Sequence, residues 1–264
     1  MGILDIKNCS ICYADRNLAV DHVSLSVEER EIVSIVGESG SGKTTLIRAV
    51  MGILPPGGSI VSGSILFQGK NLADMKEDEL REIRGTGMAM IFQDVGASLD
   101  PIQKIEKQYR ESIIVHRRMK RRESLELGKN MFTRMSLTDP GRIMKSYPFE
   151  LSGGMKQRVG IAMSMTAEPK LLLADEPTSA LDVTIQAQVV HQMKKLREQY
   201  HTAIVLVTHN MGVASYISDK IGVMYQGKLV EFGTRDKIIY SPETEYTRQL
   251  LGAVPKLEGK RFAK

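Results

Sequence analysis

Five short apolar runs recur along the chain and define the kind of sheet it can form. They are EIVSIVG (31–37), MAMIFQ (88–93), LLLAD (171–175), AIVLVTH (203–209) and IGVMY (221–225). A strand with one solvated face alternates apolar and polar residues, whereas a strand covered on both faces is apolar throughout. The runs therefore predict a largely parallel sheet with helices on both sides. Helical spacing between them predicts one helix over 44–54, ended by Pro55, and another over 183–200.

The middle of the chain has a different character. Residues 98–168 are rich in charged residues and helix formers and contain few β-branched runs. We interpret them as a helical subdomain inserted between two parts of one core, 1–97 and 169–264, within a single domain of 264 residues. That length is sufficient to bury a substantial core.

A second, smaller sheet is indicated near the N-terminus. The stretch SIVSGSILFQGKNL (59–72) alternates apolar and polar residues. We expect it to form an exposed antiparallel piece beside the N-terminal strands, with turns at Gly63 and Gly69.

Composition indicates an ordinary globular protein inside the cell. Apolar residues make up 42% of the chain, and its apolar runs are far shorter than the roughly 20 residues that cross a bilayer. The N-terminus lacks the pattern of a secretory signal. Net charge is +5, from 36 Lys and Arg against 31 Asp and Glu. The basic run HRRMKRRE (116–123) is interpreted as the solvated face of a helix, because aromatic residues are not interleaved with it.

The only two cysteines, Cys9 and Cys12, match C-x-x-C. Their odd spacing in a strand-like stretch points the side chains to opposite faces, and no second pair completes a zinc site. We therefore expect inert structural thiols.

The segment GESGSGKT fits the phosphate-binding pattern G-x-x-x-x-G-K-[ST]. It follows a buried strand and precedes a helix, as the mechanism of that motif requires, which disfavours a chance glycine-rich turn. Backbone N–H groups of the loop would approach phosphate oxygens, Lys43 would reach the outer phosphates and Thr44 would bind magnesium. The residues expected to contact the nucleotide here are Gly37, Glu38, Ser39, Gly40, Ser41, Gly42, Lys43, Thr44 and Thr45.

Polar residues at the ends of three other apolar runs suggest the rest of a catalytic site. LLLADEP ends in Asp175, expected to bind magnesium, and Glu176, expected to polarise the attacking water. A lone acid here could instead be a helix cap, and a lone histidine could be packed. Because the carboxyl ends of parallel strands line one crevice, Gln93 and His209 are placed near the γ-phosphate, the water or the metal. The predicted catalytic residues are thus Lys43, Gln93, Glu176 and His209, and the predicted magnesium ligands Thr44, Gln93 and Asp175.

A second helix start, LSGGMKQR (151–158), also has the chemistry of an anion site. Ser152 is a good N-cap, and Gly153 and Gly154 leave a flat surface before the positive end of the helix. In isolation, a plain capped helix start explains the stretch equally well.

In the order GESGSGKT, Gln93, LSGG, LLLADEP and His209, these motifs resemble the nucleotide-binding subunit of an ABC transporter over nearly the whole chain. The resemblance implies an α/β P-loop NTPase (RecA-like) core with ATP and Mg²⁺ as cofactors. It also implies a head-to-tail dimer in which Ser152, Gly153, Gly154 and Asp182 act in trans on the partner's ATP. Tyr13 would stack on adenine, and Gln93 would sense the transmembrane partner.

Several stretches resemble one branch of that family, the ATPase subunits of dipeptide, oligopeptide and nickel importers: SLDP, ADEPTSALDVTIQAQ and EYTRQLL. This resemblance implies that the chain works with two permease subunits and pairs with a paralogous ATPase or with a second copy of itself. A substrate-binding protein would act indirectly, and no nucleic acid is expected as a partner. The chain would lie peripherally on the cytoplasmic face of the membrane. Many peptide-importing members carry a longer, cysteine-containing C-terminal segment, whereas this chain ends in VPKLEGKRFAK. Nickel or a metal chelate therefore stays open as the substrate.

The chain departs from the family pattern at three places. Arg30 replaces a usual glycine, Val95 and Gly96 replace a proline-led pair after Gln93, and Asn210 replaces an aspartate. Because of the change after Gln93, the family pattern does not determine how this segment contacts the permease.

Two other functions fit the sequence less well. ABC ATPases acting on nucleic acid or the ribosome usually carry extra modules, for which 264 residues leave no room. A module that only binds nucleotide is disfavoured by the presence of all the expected catalytic residues.

Overall fold

The computed structural model describes residues 2–14, 17–116, 119–179 and 181–253. The strands are β1 (Leu4–Cys12), β2 (Leu18–Val27), β3 (Ile32–Val36), β4 (Ser59–Phe67), β5 (Lys70–Asn71), β6 (Met88–Ile91), β7 (Leu171–Asp175), β8 (Ala203–Thr208), β9 (Lys220–Tyr225) and β10 (Lys228–Thr234). The helices are α1 (Lys43–Met51), α2 (Glu77–Ile83), α3 (Val95–Ser98), α4 (Ile105–Ile114), α5 (Arg121–Arg134), α6 (Pro140–Lys145), α7 (Gly153–Thr166), α8 (Val183–Tyr200), α9 (Met211–Ile217), α10 (Arg235–Tyr240) and α11 (Glu245–Gly252).

The main sheet contains six strands in the order β10-β9-β3-β8-β7-β6. The five strands from β9 to β6 pair in parallel, and β10 adds an antiparallel edge. Every residue of β3, β6, β7 and β8 is buried, which explains why these runs are continuously apolar. The predicted α/β fold with a largely parallel sheet is confirmed.

The sheet has a separate apolar core on each side. Leu172 and Ala174 of β7 pack into the core shared with the helices between β6 and β7. Leu171 and Leu173 point the other way, into the core shared with α1 and the second sheet. Helices α4 to α7 fall within 98–168, as the composition of that segment indicated. The exact subdomain boundaries at 97/98 and 168/169 stay a prediction.

The second sheet is antiparallel, with the order β2-β1-β4-β5, and places the stretch 59–72 beside the N-terminal strands as predicted. Gly69 lies in the turn between β4 and β5. The turn predicted at Gly63 is wrong, because Gly63 lies inside β4 with φ at +80°. The register between β1 and β4 shifts there, and a Cβ on Gly63 would stand 2.2 Å from Asn8 O. Gly63 therefore allows a β-bulge, a close backbone approach that depends on the partner strand.

Of the two predicted helices, one has the predicted bounds and the other ends earlier. The helix over 183–200 is present with the predicted bounds. Helix α1 ends at Met51, earlier than predicted from Pro55. Gly52 takes a left-handed conformation, and the N–H groups of Gly52 and Ile53 donate to the carbonyls of Ala49 and Arg48. This glycine cap ends the helix before the prolines are reached.

The two cysteines lie in β1, and the basic run leads into α5. Cys9 is buried and Cys12 half-buried, both thiols are free, and burial raises the pKa of Cys9 to about 11. In the basic run, residues 117–118 lie outside the described residues, and Lys120 and Arg121 are exposed at the start of α5. Among the helices described, none combines the length and apolarity that crossing a bilayer requires.

Candidate functional site

The loop at 37–44 joins the end of β3 to the start of α1. Positive φ angles of 82° at Gly40 and 96° at Gly42 let the loop fold back over the first turn of the helix. Lys43 is buried, and its Nζ donates to Gly37 O at 2.8 Å and Glu38 O at 2.6 Å. The loop therefore wraps around the lysine and holds its ammonium group at the end of the central strand.

The acids at the end of β7 also affect the pKa of Lys43. Burial lowers the pKa of Lys43 below its ordinary value, and the negative charges of Glu176 and Asp175 partly offset that effect. Lys43 is far in sequence from the adjacent acids Asp175 and Glu176, yet β3, β8 and β7 are neighbours whose carboxyl ends share one sheet edge.

Asp175 is the last residue of β7 and is 1% exposed. Its Oδ1 accepts a hydrogen bond from the Thr44 hydroxyl at 2.8 Å. Burial raises the pKa of Asp175, and the hydrogen bond from Thr44 opposes the rise. A hydroxyl and a carboxylate oxygen side by side form a donor set that suits Mg²⁺. No group of three His, Cys, Asp or Glu in the described parts of the chain could hold a metal alone, so an ion here would need phosphate or water oxygens as well.

Glu176 directs its carboxylate away from Asp175. Its N–H donates to Val207 O at 2.9 Å, and its φ of 44° turns the side chain toward the end of β8. Oε2 of Glu176 lies 3.1 Å from Nδ1 of His209, the residue that follows β8. The acid expected to activate water and the histidine expected at the γ-phosphate are therefore hydrogen-bonded partners.

A cavity of about 310 Å³ lies above the loop. Tyr13 and Gln93 both line it, and the Tyr13 hydroxyl lies 3.1 Å from the Thr45 hydroxyl. The predicted site residues that line this cavity are Tyr13, Ser39, Gly40, Gly42, Lys43, Thr44, Thr45, Gln93 and Glu176. The structure thus brings together residues from four separate segments, and the roles assigned to them stay predictions.

The residues predicted to act in trans do not line this cavity. Ser152 is the N-cap of α7, and its Oγ accepts from Met155 N at 3.3 Å. Asp182 caps α8 in the same way, with Ile185 N at 3.0 Å. Gly153 is exposed, and a Cβ built on it would find no heavy atom of the described chain within 4 Å beyond its chain neighbours and the backbone of its own helix. Each segment has a structural role in its own chain, and α7 begins at an open surface.

Sequence reasoning missed several residues around these motifs. Arg158 follows LSGG on α7, and its guanidinium donates to Gly154 O at 3.3 Å and Ser136 O at 3.0 Å. Its position inside LSGGMKQR was the available signal. Tyr246 of α11 accepts a hydrogen bond from Glu38 N at 3.2 Å. No local pattern links these two residues, because they are 208 positions apart.

Comparison with known proteins gives consistent matches. The family model described as ABC transporter matches residues 20–179. The chain is 40% identical to the dipeptide transport ATP-binding protein DppD of Bacillus subtilis, over 97% of this chain and 78% of that protein. It is 39% identical to the oligopeptide transport ATP-binding protein OppD of Escherichia coli, over 97% and 77%.

The fold is also similar to that of solved ATP-binding cassettes. The dimeric structure of MJ0796, a bacterial ABC transporter cassette, is 28% identical with a TM-score of 0.79, over 88% of this chain and 98% of that one. A post-hydrolysis dimer of the same cassette, bound to ADP and Pi, is 27% identical with a TM-score of 0.78, over the same shares.

Proposed function

The chain belongs to the ABC transporter family as one of its ATPases, and on that premise we propose that it powers an importer of dipeptides or oligopeptides. The observation that supports catalysis most directly is the joint placement of Lys43, the Thr44–Asp175 pair and the Glu176–His209 pair at one sheet edge. Relatives that cover most of this chain are named for dipeptide and oligopeptide transport, which favours peptides over nickel as the substrate.

ATP would lie in the cavity above the loop. Tyr13 would stack on the adenine, the N–H groups of the loop would donate to phosphate oxygens, and Lys43 would reach the outer phosphates. Thr44, Asp175 and Gln93 would hold Mg²⁺, since all three supply oxygen donors. The bound ion would neutralise charge that develops on the phosphate oxygens during the reaction.

Glu176 would act as the general base. Its carboxylate would take a proton from the attacking water as the water's oxygen bonds to the γ-phosphorus and the bond to the β-phosphate oxygen breaks. His209, at 3.1 Å from Glu176 Oε2, would hold the carboxylate in place and approach the γ-phosphate. The products would be ADP and phosphate.

The complete site would need a second ATPase chain. In a head-to-tail dimer, Ser152, Gly153 and Gly154 of one chain would close over the γ-phosphate held by the other, and Asp182 would contact the opposite site. The open surface at Gly153 and the dimeric state of the similar cassettes support this arrangement. ATP binding would close the dimer and hydrolysis would reopen it. Two permease subunits at the membrane would follow this cycle, with the chain peripheral on the cytoplasmic face and paired with a paralogue.

Capture of the assembled complex tests this function. Tagged Glu176→Gln protein is purified from detergent-solubilised membranes of its own host with ATP and magnesium, and co-purifying chains are identified by mass spectrometry. We expect two permease chains and a second ATPase. Tagged Lys43→Ala protein, which has a damaged nucleotide site, is the matched control. With this variant, ATP should no longer increase the amount of the second ATPase that co-purifies.

Uptake then distinguishes the substrates. Cells that carry Glu176→Gln should lose uptake of labelled dipeptides or oligopeptides and retain uptake of nickel. Loss of nickel uptake alone would contradict the peptide assignment, and recovery of ribosomal or DNA-associated partners alone would overturn the transport function.

A further inference from the structure

Helix α11 reaches back to the phosphate-binding loop through one side chain. The hydroxyl of Tyr246 accepts a hydrogen bond from the N–H of Glu38 at 3.2 Å. We propose that Tyr246 is a positioning residue for ATP binding, which fixes the first peptide of the loop and through it the Lys43 ammonium group. This inference rests on the proposed role of that loop in binding ATP.

The peptide that joins Gly37 to Glu38 connects the two side chains. Its N–H donates to Tyr246, and its carbonyl, Gly37 O, accepts from Lys43 Nζ at 2.8 Å. Because a peptide unit is planar, its N–H and C=O cannot turn independently. A restraint on the N–H therefore also orients the carbonyl that holds Lys43.

The ring of Tyr246 is itself held in place. It packs against Tyr225, the last residue of β9, with ring centroids 4.4 Å apart and planes tilted by 41°. Strand β9 pairs directly with β3, from which the loop emerges. Burial raises the pKa of Tyr246, so the side chain remains a neutral hydroxyl at physiological pH.

The start of α11 is anchored to β10 by a buried acid. Glu231 is 6% exposed and accepts hydrogen bonds from Glu243 N at 2.8 Å, Thr244 N at 3.2 Å and the Thr244 hydroxyl at 3.1 Å. Burial alone would raise the pKa of Glu231, but these hydrogen bonds outweigh it and the pKa lies below its ordinary value. The helix that carries Tyr246 is thus fixed to the same sheet as the loop.

Nucleotide affinity of single-atom variants tests the inference. The full-length chain is titrated with Mg-ATP by calorimetry, and its Tm is measured alongside. Tyr246→Phe keeps the ring and removes only the hydroxyl, so we expect ATP to bind about three- to tenfold more weakly, as for the loss of one hydrogen bond, with the parent Tm. Tyr225→Phe removes a hydroxyl from the neighbouring ring and should bind ATP like the parent.

Lys43→Ala separates failure of this inference from failure of the site. Parent affinity in Tyr246→Phe together with lost affinity in Lys43→Ala would overturn the positioning role and leave the nucleotide site standing. Parent affinity in Lys43→Ala would contradict the site itself. A loss in Tyr246→Phe that appears only with a lowered Tm would also count against positioning, because it would report unfolding.

Discussion

At the scale of single residues, the conformation of Glu176 explains how two adjacent acids serve different neighbours. A φ of 44° is uncommon for a residue with a Cβ. It turns the Glu176 carboxylate to His209, while Asp175 stays in the strand and meets Thr44. Such conformations cost about 1–3 kcal/mol and tend to be retained where a site needs them.

Glu176→Gln is expected to lower ATP turnover at the site that holds Glu176 about 10²-fold to 10⁴-fold, because the amide cannot accept the proton of the attacking water. ATP binding should change little, since Gln has nearly the same size. Phosphate release by the assembled transporter and ATP affinity of the chain are the two measurements. The control is Glu198→Gln, an exposed acid on α8. Hydrolysis by Glu176→Gln at the parent rate would refute its role as the base.

Departures from the family pattern also have local explanations. Arg30 has a φ of 62°, the conformation for which the family uses glycine, and its carbonyl accepts from Arg197 at 2.8 Å. Asn210 caps α9 by accepting from Val213 N at 3.2 Å, as the usual aspartate would. The motif residues could be predicted because each motif is contiguous. Tyr246 lies in the stretch EYTRQLL, but its contact with the loop could not be predicted, because only the folded sheet brings it there.

At the scale of elements, Val95 connects the segment after Gln93 to the helix that follows LSGG. Val95 is the first residue of α3 and is 3% exposed. A Cβ on Gly160 of α7 would stand 2.2 Å from Val95 Cγ1, so the two helices touch where the glycine leaves room. The Ser164 hydroxyl adds a hydrogen bond to Met90 O at 3.3 Å. Movement of the segment after Gln93 would therefore be transmitted to α7, the helix that begins within LSGG.

Gly160→Ala should destabilise the fold by about 1–3 kcal/mol through overpacking against Val95. In an uncrowded helix the same change would instead stabilise by up to about 1 kcal/mol. Chemical denaturation of Gly160→Ala, Val95→Ala and the double variant measures the coupling free energy between the two positions. The double variant should recover most of the unfolding free energy that Gly160→Ala loses. Gly252→Ala on α11, with open space around its Cβ, is the control and should not destabilise. If the losses of stability in Gly160→Ala and Val95→Ala simply add in the double variant, the two residues do not interact as described.

Some elements could be predicted from their own sequence, and others could not. The buried strands were predictable because burial on both faces leaves an uninterrupted apolar run. Helix α3 has four residues, too few to show a periodicity. The bulge at Gly63 depends on where Asn8 of the partner strand lies, which the sequence of β4 alone does not contain.

At the scale of the whole molecule, the strand order decides which motifs meet. The adjacent positions of β3, β8 and β7 in the sheet bring the loop, His209 and the two acids to one edge. The apolar runs predict that a parallel sheet forms, but they carry no signal for which strand pairs with which. The family resemblance, and not the periodicity, was what predicted that LSGG belongs to a different site.

Gly153→Asp tests whether LSGG acts on the ATP of a partner. Gly153 faces open space in its own chain, and an acid in the first helical turn favours the helix dipole, so Tm should equal or exceed that of the parent. ATP binding to the chain's own loop should be unchanged. Turnover at the composite site that contains this LSGG should fall about 10²-fold to 10³-fold, as when a donor to the reacting group is lost, because the new carboxylate would face the partner's γ-phosphate.

Mixing variants extends the test to the identity of the partner. If the chain pairs with itself, a mixture of Gly153→Asp and Lys43→Ala chains forms dimers in which one composite site combines an intact loop with an intact LSGG, and part of the turnover returns. If it pairs with a paralogue, as we expect, mixing restores nothing, and each variant instead disables a different site of the heterodimer. Parent turnover in Gly153→Asp alone would contradict action in trans for either partner, because an acid at that position could not lie over a γ-phosphate without repelling it.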